Sequence, residues 1–118
     1  MLFFQFVERI SLDKNQSNIE KFMFIKEYIK NNSQTNANII FIGDLTENKK
    51  NKIRKAFLEE INSKIAFIES LTDIENTKNN INLIVLSIGE VTYSQIENLD
   101  RYAELLKINI PGLILVEN

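Results

Sequence analysis

In an open α/β sheet, reactive and ligand-binding groups collect where strands end at their carboxyl side. Four polar clusters in this chain directly follow apolar runs of strand length: Gly43-Asp44, Glu69-Ser70, Ser87 to Glu90 and Glu117-Asn118. Asp44 with a neighbouring carboxylate is the pattern that holds a hard divalent cation through oxygen ligands. Ser87, in "NLIVLSIGE" (82–90), sits where a strand delivers a nucleophile, but an alcohol needs an adjacent base to react. The chain has no histidine, and its local sequence sets no lysine beside Ser87. No glycine-rich phosphate loop accompanies any cluster. The expectation is therefore polar strand ends closing wet loops, with no catalytic residue, metal or cofactor.

Composition removes further classes. With neither cysteine nor histidine, a disulfide framework, thiolate or imidazole metal ligation and the serine-hydrolase triad are all excluded. A net charge of −2 argues against a surface built to neutralise nucleic-acid phosphates. No apolar run reaches the length needed to span a bilayer. "MLFFQFVERI" carries Glu8 and Arg9 and lacks a basic leader and a small-residue cleavage site, so it fails as a signal peptide. A cytoplasmic protein is expected.

These residues need a scaffold, and the apolar pattern supplies one. Five runs of strand length, 2–8, 38–43, 64–69, 82–88 and 112–117, alternate with four segments of helical character near 17–31, 47–62, within 69–81 and 94–107. The order βαβαβαβαβ predicts an α/β, flavodoxin-like three-layer sandwich around a mostly parallel five-stranded sheet. The second, fourth and fifth strands are continuously apolar, as strands covered on both faces must be, and are assigned to the sheet interior. Ser17 with Glu20, Thr72 with Glu75 and Ser94 with Glu97 have the spacing of a capping box and mark helix starts. The third helix is short and weakly anchored. At 118 residues, residues 1–118 make one domain.

Two stretches suggest contact surfaces. "ENKKNKIRK" (47–55) concentrates Lys49, Lys50, Lys52, Arg54 and Lys55 at the start of the second helix, where cations oppose the helix dipole. Such a run is either a solvated face or a surface for an acidic partner. "LFFQFV" gathers Phe3, Phe4 and Phe6 in one strand, which is core inside a sheet and a pairing hazard or partner contact on an edge. The chain also ends directly after an apolar strand, leaving a face to be covered by more of a longer protein or by a second copy.

From residue 38 to 118, "NIIFIGD", "INLIVLS" and "IPGLILVEN" resemble the strands of a bacterial response-regulator receiver domain. Such domains carry an acidic pair that binds magnesium, a phospho-accepting aspartate and a switch hydroxyl at the ends of three strands. In this sequence those positions fall on Gly43 and Asp44, on Ser87 and near Glu117, with 43 residues from Asp44 to Ser87 and 30 from Ser87 to Glu117. One acid is glycine, the acceptor is serine, and the hydroxyl is glutamate. The resemblance thus implies a degenerate pseudo-receiver in signal transduction that is not phosphorylated and works by protein–protein interaction, as a homodimer or as part of a larger protein. Residues 1–36 add a strand and a helix before the resembling part; either they replace the family's missing last strand and helix, as a permuted arrangement would, or the chain is truncated before those elements. "IFIGD", "LIVLSIGE" and "PGLILVEN" also resemble the small stalk subunit of rotary ATPases, which implies a structural role instead. A small-ligand enzyme at the sheet's carboxyl edge is the third reading.

Overall fold

The computed structural model describes residues 4–13, 18–32, 36–61, 64–70, 73 and 80–117. The elements run β1 (Phe6–Ser11), α1 (Ile19–Asn32), β2 (Asn36–Ile42), α2 (Glu47–Glu60), β3 (Lys64–Ile68), β4 (Asn80–Ser87), α3 (Tyr93–Leu106) and β5 (Gly112–Glu117). All five strands are parallel, in the order β1-β5-β4-β2-β3. Counted from β2, this is the flavodoxin-like order 2-1-3-4-5, with the N-terminal strand in the fifth place. The three continuously apolar strands, β2, β4 and β5, are the three interior ones.

The sheet separates two apolar layers. On one side Phe22, Ile25 and Ile29 of α1 and Ile53 and Phe57 of α2 pack on Ile39, Leu83, Val85, Ile114 and Val116. On the other, Leu99 and Ala103 of α3 pack on Ile40, Ile84 and Leu86. Within this second layer the buried Asn38 Nδ2 donates to Asn82 Oδ1 at 2.9 Å, and Asn82 Nδ2 donates to the Asn109 carbonyl at 3.2 Å. Asn38 and Asn82 are also register partners. Since a one-residue slip would strand both amides in an apolar layer, the pair holds β2 and β4 in register.

Two sequence expectations are corrected in detail. The first strand covers Phe6–Ser11 rather than 2–8, with residues 1–3 outside the described set. Its ladder starts where the Pro111 carbonyl accepts the Gln5 and Phe6 amides, at 2.6 and 3.2 Å. Gly112 then leaves room for the Phe6 ring, since a Cβ there would lie 2.3 Å from Phe6 Cζ. The last helix is capped by Thr92 rather than Ser94: Thr92 Oγ1 accepts from the Gln95 amide at 3.2 Å, and Gln95 Oε1 accepts from the Thr92 amide at 2.8 Å. Starting at the earlier box gains backbone bonds that a start at Ser94 would forgo. The caps expected at Ser17 and Thr72, and almost all of the weak third helix, fall outside the described residues.

β1 is an edge strand. Phe6 donates its amide to the Pro111 carbonyl just before β5, and Leu12 donates to Glu117 at the end of β5, so the alternating Val7, Arg9 and Ser11 turn their backbone groups outward. Asn18 closes one of these positions: Ser11 N–H donates to Asn18 Oδ1 at 3.0 Å, and Asn18 Nδ2 donates to the Ser11 carbonyl at 2.7 Å. One side chain thereby takes the place that a neighbouring strand would fill.

Candidate functional site

The sheet brings the candidate strand-end positions to one edge. Ile42 pairs with Leu86 and Ser87 with Val116, so Gly43, Ser87 and Glu117 end adjacent strands. They do not share a face. Ser87 continues the Leu83–Val85 row on the α1/α2 side, whereas Glu117 continues the Leu113–Leu115 row on the α3 side. Ser87 is 3% exposed, which denies its hydroxyl to a substrate from solvent. Asp44 is exposed and donates its amide to the Glu90 carbonyl at 2.9 Å. The Glu117 carboxylate is held by Arg9 Nη1 of β1 at 3.1 Å. Among the described residues, no group of three or more acids is placed to hold a metal ion.

The loops above this edge are tied together. Gly43 has φ +96°, and a Cβ there would meet the Glu90 carbonyl oxygen at 2.5 Å, so glycine is required both by its backbone and by the close approach. Lys49 Nζ, in the first turn of α2, forms an ion pair with Glu90 Oε1, while Glu90 Oε2 is buried without a hydrogen-bond partner. With side chains 15% and 29% exposed, this pair clasps the β2–α2 turn to the β4–α3 turn.

Two more cations of the basic run, Lys50 and Arg54, are also engaged. Lys50 Nζ lies 2.8 Å from Glu69 Oε1, and Arg54 lies 3.6 Å from Glu69 and 3.5 Å from Glu47. Arg54 also covers the Phe41 ring at 5.4 Å, a cation–π geometry. The Lys50 hydrogen bond, then its charge, holds the Glu69 carboxyl below the usual carboxylate range. Lys52 and Lys55 remain exposed. Glu69 and Glu90 were not legible as partners, because they stand 19 and 41 residues from the lysines they meet.

A different surface is left open. On the α3 side, the strip of sheet over β5 and β1 beyond α3 has no covering element among the described residues, and Val7 is 51% exposed. A cavity of about 300 Å³ lies there, with a floor of Phe4, Leu86 and Leu113 and a wall of Ile96, Glu97 and Asp100 from α3. Of the aromatic strand residues, Phe4 therefore lines this strip. Phe6 turns to the opposite face, where its ring meets Phe24 at 5.4 Å and Tyr28 at 4.7 Å. Phe3 lies outside the described residues. The sequence signal for the strip was the alternation of Phe6, Glu8 and Ile10 with Val7 and Arg9, blurred by a charge in each row.

The chain matches no protein-family model, no curated protein and no solved structure. No helix among the described residues is long and apolar enough to cross a membrane.

Proposed function

We propose that this chain is a non-catalytic regulatory module of pseudo-receiver type that binds a protein, either a partner or a second copy of itself. The observation that carries the reading is the contrast between its two candidate surfaces. At the strand ends, Ser87 is buried and Glu69, Glu90 and Glu117 are each committed to a cation of another element. Beside α3, a strip with apolar residues is open to solvent. Engaged charges and a buried hydroxyl favour rigidity over turnover, whereas an open apolar strip favours association. Incubation with acetyl phosphate and magnesium followed by intact-mass measurement tests the non-catalytic part. Unmodified protein is expected; a stable phosphoryl adduct would sink the reading.

A further inference from the structure

We infer that a cleft at the amino edge of the sheet, on the far side from the strand ends described above, is a binding site for a small hydroxycarboxylate with one negative charge. The inference goes beyond the reading of the chain as a recognition module and stands on a separate surface.

The cleft is built by the elements that begin and end at this edge. It has a volume of about 290 Å³ and lies under the start of β4, β5 and β1, with Asn80, Pro111 and Gln5 in its lining. α1 reaches it from one face of the sheet with Tyr28 and Asn32, and the residues after α3 reach it from the other with Lys107 and Asn109. Hydrogen bonds hold its walls. The Tyr28 hydroxyl donates to Gln5 Oε1 at 2.7 Å, Asn32 Nδ2 donates to the Tyr28 carbonyl at 2.9 Å, and Asn82 Nδ2 donates to the Asn109 carbonyl at 3.2 Å. A cavity at the lower end of the size range of ligand pockets takes a small molecule.

The lining selects the ligand's chemistry. Among the described residues that line the cleft, Lys107 carries the one formal charge, and it takes part in no ion pair with another described residue. Asn82, 8% exposed, spends Oδ1 on Asn38 and one N–H on Asn109, which leaves it a donor. Gln5, whose Oε1 is taken by Tyr28, keeps its amide donors. An ammonium and spare donors with no carboxylate beside them favour an anion rich in acceptor oxygens. The helices limit its charge: α1 and α3 both end at this edge and turn the negative ends of their dipoles toward it, whereas a phosphate is suited to a helix N-terminus. One carboxylate is what Lys107 balances. The remaining carboxamides offer donors and acceptors together, the match for hydroxyl groups. Lys107 itself has φ +55°, alone among the described non-glycine residues in the left-handed region. Glycine or asparagine is usual at such a helix end, and the Lys107 and Ile108 amides close α3 whatever the side chain, so backbone capping does not call for a lysine there.

The test uses the full chain, isotopically labelled, titrated with glycerate and gluconate. Glucitol and glucarate, which carry the six-carbon polyol of gluconate with no carboxylate and with two, and inorganic phosphate serve as comparisons. Glycerate or gluconate is expected to give saturable amide shifts centred on Asn80, Asn82, Lys107 and Asn109, and to bind several-fold more tightly than the three comparison compounds. Lys107→Gln, a substitution at an exposed position, is expected to weaken that binding several-fold while leaving the spectrum folded, and Lys107→Arg to retain it. Absence of saturable shifts with both acids, shifts centred elsewhere, or binding that Lys107→Gln leaves unchanged would overturn the inference. Glucitol, glucarate or phosphate binding as tightly as the monocarboxylates would overturn it as well, because the single charge would then not be what the cleft selects.

Discussion

The carboxamide of Asn18 occupies both outward backbone groups of Ser11, accepting its N–H at 3.0 Å and donating to its carbonyl at 2.7 Å. The contact closes the carboxyl end of the β1 edge, and Arg9 and Glu8 place charge on the part left open. Asn18→Ala removes both bonds and exposes two polar backbone groups. The expected loss is about 1–2 kcal/mol in a denaturant titration, with more aggregation on heating than the parent protein shows.

Ser87 has the burial of a core residue. Ser87→Ala is expected to leave the thermal midpoint and spectra nearly unchanged. Ser87→Asp, which would put a carboxylate on the α1/α2 side of the sheet, is expected to cost on the order of 3 kcal/mol through desolvation. Equal stability of the two variants by chemical denaturation would mean that the strand end is wetter than its 3% exposure implies.

The Lys49–Glu90 clasp joins two turns across the carboxyl edge of the sheet. Both side chains are less than a third exposed, so their coupling should exceed that of a surface pair. A double-mutant cycle with Lys49→Met and Glu90→Gln is expected to return about 1–2 kcal/mol of coupling. A value near zero would make the pair ornamental.

Glu69 gives stability a pH dependence of known sign. Its carboxyl titrates lower in the folded chain than when unfolded because of Lys50 and Arg54. The stabilisation is therefore complete above the ordinary carboxylate range and is lost as pH falls through the lowered folded value. Thermal midpoints of the parent should thus fall more steeply in acid than those of Glu69→Gln. Parallel profiles would place the Glu69 contacts outside the energetics of the fold.

Strand character was the most legible part of the sequence, because continuous apolar runs such as "NIIFI" and "NLIVL" report burial on both faces of a sheet. The last strand matches its expected bounds, Gly112–Glu117, since Pro111 and Gly112 punctuate it. The first strand was misplaced because the phenylalanine run suggests strand wherever it stands, whereas its register depends on Pro111 and Gly112, more than a hundred residues away. For the last helix the sequence holds two overlapping boxes, Thr92 with Gln95 and Ser94 with Glu97, and spacing alone does not rank them. The candidate site was legible as an edge, since strand ends fix where Gly43, Ser87 and Glu117 lie. The ion pairs of Glu69, Glu90 and Glu117 were not, because each joins residues that only the folded sheet makes neighbours.

In the proposed function, the strand ends do no phosphoryl chemistry and recognition takes place elsewhere on the sheet. An amide spectrum of the labelled chain, recorded during titration with magnesium and beryllofluoride, tests it most directly. The account predicts that the amides of Gly43, Asp44, Ser87, Glu90 and Glu117 stay in place throughout. Saturable shifts centred on those residues would contradict it.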